Sequence, residues 1–280
     1  MHLKIGGSFQ VFVTILVMAL LGMGIGLPWN QAIFLGFIFS LSSTAIVLKI
    51  LQDKGEMSTP HGKTILAILI FQDIIVVPMM LFTPLLAGQS TNIWFEILMM
   101  FLKAGLLIVF VLISARYLVP RLFYQIAKTK SKELFIIVTV LICFSVAWLS
   151  AELGLSLALG AFLAGLIISE SEYSHQAASN ILPFHELFTA FFFVSIGMLL
   201  DIFFVADHLL LIAGLTAITI LIKGGISTFA GFVLGYPIRS AVRIGFSLFQ
   251  VGEFAFILAT VGITYGLLSE SINQYFLSVS

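Results

Sequence analysis

Residues 68–78 read Ile-Leu-Ile-Phe-Gln-Asp-Ile-Ile-Val-Val-Pro, an apolar run that carries an aspartate, Asp73, at its middle with a glutamine, Gln72, beside it. Whether that carboxylate sits in water, in a soluble core or in a lipid bilayer decides the fold. Of the 280 residues, 60% are apolar and 9% charged, whereas soluble domains carry about a quarter charged residues. Mean hydropathy is +1.17. This is the composition of an integral membrane protein.

A window of about 20 residues, the length that crosses a bilayer as a helix, picks out stretches near 8–27, 31–51, 64–87, 94–118, 134–151, 155–169, 184–200, 208–235 and 240–264. A tenth begins near Ile272. Lipid offers backbone groups no partner, and these stretches are much longer than barrel strands. The expected fold class is therefore all-α, a polytopic bundle of about 9–10 spans. The first stretch has only Lys4 ahead of it and no small-residue cleavage pattern, so it reads as a span and not as a signal peptide. The single cysteine, Cys143, falls inside a span, which leaves no intramolecular disulfide and no thiolate cluster for a transition metal. A net charge of zero gives nucleic acid no purchase.

Threading the stretches alternately puts the N-terminus and the connections 52–63, 119–133, 170–183 and 236–240 on one side. That side collects Lys4, Lys49, Lys54, Lys63, Arg116, Arg121, Lys128, Lys130, Lys132, Arg239 and Arg243. The opposite connections hold acids such as Glu152, Asp201, Asp207 and Glu270, with no Lys or Arg. A miscounted helix would scatter the basic residues over both faces, so the partition supports both the count and a cytoplasmic location for the basic side. Lys103 and Lys223 remain inside spans, as do Asp73 and Glu253. Lys103, nearer a helix end, is expected to snorkel.

A charge at bilayer depth costs several kcal/mol and normally faces the bundle interior. Asp73 lies roughly 15 Å from either end of its helix at about 1.5 Å per residue. A structural ion pair is the plain reading. The functional one is a carboxylate that holds a proton and a metal cation by turns: burial disfavours its charged form and a nearby cation favours it, so the two compete for the same oxygens. Gln72 would add a neutral carbonyl ligand or a hydrogen bond. In the preceding stretch Ser40, Ser42, Ser43 and Thr44 interrupt an apolar span. These hydroxyls either bond back to carbonyls one turn earlier or mark an unwound midplane segment that ligates an alkali cation. Gly252 and Glu253 repeat the theme in Phe246–Phe256: glycine relieves a helix break, and an acid suits the positive end of a helix dipole. Lys223 is the expected counter-ion of Asp73 or of Glu253. The small-xxx-small pair Ala161 and Gly165 is expected to pack closely on a neighbouring helix.

Six stretches carry a family resemblance: Leu41-Ser-Ser-Thr-Ala-Ile46, Phe71-Gln-Asp73, Leu155-Ser-Leu-Ala-Leu-Gly-Ala-Phe-Leu-Ala-Gly165, Ser169-Glu-Ser-Glu-Tyr-Ser-His175, Phe191-Phe-Phe-Val-Ser-Ile-Gly-Met198 and Gly252-Glu-Phe-Ala-Phe256. In order and spacing the chain resembles the membrane domain of monovalent cation:proton antiporters of the second superfamily, in particular the Kef-type potassium:proton branch. The resemblance implies an inverted-repeat, Na+/H+ antiporter-like fold with two discontinuous crossing helices, a homodimer, and an elevator-like shift of one domain against another. It also implies that Asp73 is the shared proton and cation carboxylate, with Gln72, Ser42, Ser43 and Thr44 beside it. Lys223 would be the midplane basic residue and Glu253 would stand at the second crossing, the two acting as charge compensators. The Gln-Asp pair is similar to branches that exchange one cation for one proton.

The expected function is thus secondary active exchange of K+ or Na+ for H+ across the cytoplasmic membrane, with no enzymatic step and no cofactor. A regulated K+ channel-like protein and a sodium-coupled solute symporter of related fold are the alternatives. An intramembrane aspartyl protease would need two opposed aspartates, and Asp73 is the only one at depth. Residues 1–280 are expected to be a partial exchanger domain, with earlier helices missing before Met1 and the end of the last helix missing past Ser280, and with any cytoplasmic regulatory domain or subunit outside the chain. Ala178, Asn180 and Leu182 replace acids of glutathione-gated members, so gating of that kind is not expected.

Overall fold

The computed structural model describes residues 2–88, 93–153, 155 and 157–280. Ser156 of the quoted 155–165 stretch and the side chain of Lys4 lie outside the described residues. Among the described residues there are helices and no strands, in the order α1 (His2–Gly24), α2 (Trp29–Ser40), α3 (Thr44–Asp53), α4 (Pro60–Leu86), α5 (Ile93–Ile113), a π-helical turn (Ser114–Leu118), α6 (Val119–Thr129), α7 (Lys132–Glu152), α8 (Leu157–Ser169), α9 (Ser174–Met198), α10 (Ile202–Asp207), α11 (Leu209–Val233), α12 (Ile238–Leu248), α13 (Glu253–Thr264) and α14 (Glu270–Val279). Helix starts follow local chemistry. Ser43, Thr59, Ser131, Asp201 and Ser269 each take extended backbone and accept a first-turn amide on the side-chain oxygen.

Seven of these helical stretches are long and apolar enough to cross a membrane, and α12 with α13, bent by 45° at their break, makes an eighth. The chain is therefore an all-α, multi-pass membrane protein. In chain order α8 and α14 occupy the two remaining expected positions, but with 13 and 10 residues they are shorter than a full crossing.

Two of the expected connections are largely helical. Residues 119–129, expected as loop for their basic charge, form α6, because Val119, Phe123 and Ile126 recur at helical spacing and are buried while Arg121 and Lys128 stay outside. The π turn just before Pro120 accommodates a residue that has no N–H for the ladder. Residues 174–183 likewise belong to α9.

The chain divides into two compact units, Met1–Gly88 with Met198–Ser280 and Gln89–Gly197. In the second unit α7 packs on α8. Gly160 lies against the backbone of Val146 and Ala147 so closely that a Cβ would overlap it, and Ala164, one turn on, is fully buried. The expected contact is thus displaced by one residue: Ala161 and Gly165 face outward, and Gly160 with Ala164 forms the close approach. The sequence contains both small-xxx-small pairs, and the motif does not choose between them. The Phe123 and Phe135 rings stack at 4.8 Å beneath Tyr173.

The first unit holds all the residues expected to bear the function. Its α1 packs on α2, α4 and α11, and α12 packs on α11 and α4. Val47, Leu51, Ile65, Ile68, Leu69, Ile244 and Leu248 make a buried apolar cluster from α3, α4 and α12. Within a bilayer such a cluster is held by close van der Waals packing, since lipid tails are as apolar as these side chains. That cluster holds the basic end of α4 against α3, which follows the first of the breaks described next, and α12, which precedes the second.

Candidate functional site

Helix α2 stops at Ser40, residues 41–43 are non-helical, and α3 resumes at Thr44; α12 stops at Leu248 and α13 resumes at Glu253. Each break leaves orphan amides and carbonyls, and the two breaks satisfy one another. Gly252 N–H donates to the Leu41 carbonyl at 3.2 Å, and the Ser42 hydroxyl donates to the Leu248 carbonyl at 2.8 Å. Gly252 has extended backbone, φ −97°, so left-handed geometry is not its purpose. A Cβ there would run into the Ser42 carbonyl. Glycine is what lets the breaks touch.

Lys223, on α11, is 1% exposed and donates to the Leu41 carbonyl at 2.5 Å and to the Gln250 carbonyl at 2.7 Å. This corrects the expected counter-ion role. Among the described residues Lys223 makes no ion pair with Asp73 or Glu253; the ion pairs are Lys49 with Asp53 and Arg243 with Glu56, whose carboxylate also contacts the His61 ring. The physical reason is that the chain just past α2 and α12 presents carbonyls with acceptor capacity to spare at the negative ends of two helix dipoles, and one Lys side chain reaches both. Carbonyls have no signature in sequence.

The carboxylates take the opposite ends. Glu253 is the first residue of α13, and its Oε2 accepts from the Ser43 hydroxyl at 3.0 Å. Ser43 also caps α3 by accepting from Ile46 N–H at 3.3 Å. Asp73, midway along α4 and half-buried, accepts from the Thr44 hydroxyl at 3.2 and 3.3 Å on its two oxygens. Ser43 and Thr44 are consecutive, so the first turn of α3 hands one hydroxyl to each acid. Two carboxyl groups at two helix N-termini, neither of them ion-paired within the described residues, form an arrangement suited to a hard monovalent cation. No group of three metal-ligating side chains of the His, Cys, Asp and Glu type occurs among the described residues.

The remaining expected site residues divide. Thr44 and Ser43 stand beside the acids. Gln72 and Ser42 do not point oxygens at them: Gln72 Oε1 accepts from Ser42 N–H at 2.8 Å, and Gln72 Nε2 donates to Gln10 Oε1 at 2.7 Å and to Ser42 Oγ at 3.4 Å. Of the two readings of Gln72, hydrogen bond or ligand, the geometry supports the first. Among the four interrupting hydroxyls only Ser40 bonds back along its own helix, to the Phe37 carbonyl. Gln10 and Thr14 on α1, both fully buried, belong to the same network, and the reading of the sequence passed over them. Their signal was present: two polar residues four apart, on one face of an apolar span.

The sodium/hydrogen exchanger, transmembrane, family matches residues 4–280. The chain is 36% identical over 275 residues to a protein of Alkalimonas amylolytica assigned as a K(+) efflux antiporter, KefB, covering 97% of this chain and 41% of that protein. It is 34% identical over 276 residues to the chloroplastic K(+) efflux antiporters 1 and 2 of Arabidopsis thaliana, covering 96% of this chain and 23% and 24% of theirs. The chain thus spans less than half the length of these relatives.

Proposed function

From the premise that the chain belongs to the sodium/hydrogen exchanger family, we propose that it exchanges a monovalent cation, K+ or Na+, for H+ across the cytoplasmic membrane. The Asp73 carboxylate alternates between the two. One observation carries the reading: Asp73 lies mid-helix in a span, half-buried, with the Thr44 hydroxyl as its one hydrogen-bond partner among the described residues. Such a charge is costly unless a proton or a cation joins it. Thr44 is a neutral partner, able to donate to the anion or to turn its lone pairs toward a cation.

The cycle follows from exclusion. With a proton on Asp73 that carboxyl is neutral and no longer offers a cation its charge. With the proton gone, the carboxylate and the Thr44 oxygen accept a cation, and the bound charge is again compensated. One carboxylate trades one charge for one charge, so the exchange is electroneutral. Lys223 and Glu253 neutralise the broken helix ends and keep the backbone open around the site. The relatives' names favour K+. The working form is a homodimer in the bilayer, its basic connections cytoplasmic, with residues 1–280 contributing part of a longer membrane domain.

The test is the complete protein in everted vesicles that hold a pH gradient. Adding K+, Na+ or Li+ releases the gradient in the native protein, and Asp73→Asn abolishes the release. Release that persists in Asp73→Asn rejects the proposal. A pore would pass the cation with no obligatory proton movement, and a symporter would need an added solute.

A further inference from the structure

We infer that Gln10, on α1, is a positioning residue that sets the alignment of the α2–α3 break against α4, and through it the contact between Thr44 and Asp73. This rests on the reading of Asp73 as the exchanging group.

The direction of every hydrogen bond in the network is determined, starting from one hydroxyl. Thr14 Oγ1 commits its proton to the Gln10 carbonyl at 2.7 Å, so toward the Gln10 side chain it only accepts. Gln10 Nε2 therefore faces Thr14, at 3.3 Å, and also donates to the Ser40 carbonyl at 3.3 Å, the last residue of α2. That leaves Gln10 Oε1 toward α4, where it accepts from Gln72 Nε2 at 2.7 Å. The Gln72 amide is thereby held with Oε1 toward the break, accepting Ser42 N–H at 2.8 Å, and Ser42 Oγ passes its proton on to the Leu248 carbonyl.

Turned over, the Gln72 amide would meet the Ser42 N–H donor against donor. Gln10 opposes the same turn from the other side, where it would set two amide oxygens against each other, and with Gln10 at 0% exposure and Gln72 at 1% water does not relieve the clash. The consequence reaches the site in two steps. Gln72 precedes Asp73 on α4, and Ser42 precedes Thr44 by two residues, so the Gln72–Ser42 bond holds the backbone that brings the Thr44 hydroxyl to the Asp73 oxygens. Gln10 touches neither cation nor Asp73 and acts wholly through this bond.

The experiment measures cation KM and kcat for the complete protein in everted vesicles, with K+ and Na+ as probes, in Gln10→Leu, Gln10→Glu, Thr44→Val and Gln10→Leu/Thr44→Val, beside Asp73→Asn. Gln10→Leu strands the Gln72 amide in a buried site and is expected to raise cation KM about tenfold, with kcat within about threefold of native. Gln10→Glu keeps the acceptor for Gln72 and, while protonated, a donor for the Ser40 carbonyl, and should stay within about threefold of native KM. In the double variant KM should match that of Thr44→Val, because both changes act on one contact. Multiplying effects, or an unchanged KM in Gln10→Leu while Asp73→Asn is inactive, overturn the inference alone. Exchange that survives in Asp73→Asn overturns the reading beneath it and the inference with it. Failure of both Gln10 variants to fold makes the residue a folding element only, which also overturns the assignment.

Discussion

Thr44 and Ser43 are neighbours with different duties, and the difference predicts different phenotypes. The Thr44 hydroxyl donates to both oxygens of Asp73, a hydrogen bond to a charged group worth about 1.5–3 kcal/mol. Thr44→Val removes it at almost constant volume. The anion loses support, the proton competes better, and apparent cation KM should rise by about tenfold at fixed pH in the vesicle assay, since about 1.4 kcal/mol is one decade. Ser43→Ala instead removes the cap of α3 and the partner of Glu253. It should cost about 1 kcal/mol of stability, read as a lower melting temperature in detergent, with a smaller change in cation KM. Asp73 and Thr44 were legible as residue types out of place in greasy surroundings. The separation of Gln72 from Asp73 into a structural and a chemical partner was not, because adjacent residues on a helix point about 100° apart and only the neighbours decide which one faces the gap.

At the scale of the helices, the molecule depends on two breaks that complete each other. Lys223 caps both carboxyl ends. Lys223→Met should strand the Gln250 carbonyl, leave the Leu41 carbonyl with Gly252 N–H alone, and lower stability by about 1–3 kcal/mol, detected as early thermal unfolding. Lys223→Gln keeps two N–H donors and should recover part of the loss. An ion pair with an acid would behave differently: removing Asp73 or Glu253 would then rescue Lys223→Met, and the carbonyl geometry predicts that it does not. Gly252→Ala drives a methyl group into the Ser42 carbonyl and should cost about 1–3 kcal/mol as overpacking. A break was one of two readings open for the run Ser40 to Thr44, whose hydroxyls could equally have bonded back along the helix; the pair Gly252 and Glu253 suggested the second break, and the family resemblance implied both. The partner of Lys223 was beyond reach, since it is backbone. The helical 119–129 segment was hidden behind its charges, although Val119, Phe123 and Ile126 carried the period.

For the molecule as a whole, orientation and transport are the claims to be tested. The proposed orientation makes the basic connections cytoplasmic, and two exposed serines of the first unit test it chemically. With Cys143 replaced by alanine, Ser58→Cys should react with an impermeant maleimide only from the cytoplasmic side and Ser271→Cys only from the other. Labelling of both from one side would refute the threading. Polytopic character and helix order were readable from hydropathy alone. The division into two compact units was not, because every span is apolar whichever neighbours it meets. The central claim is that one carboxylate holds a proton or a cation and never both. Its most direct measurement is proton release from the purified complete protein, weakly buffered, on titration with K+ and Na+. The account predicts about one proton released per cation bound, with both binding and release lost in Asp73→Asn. Cation binding without proton release, or release that persists in Asp73→Asn, would contradict it.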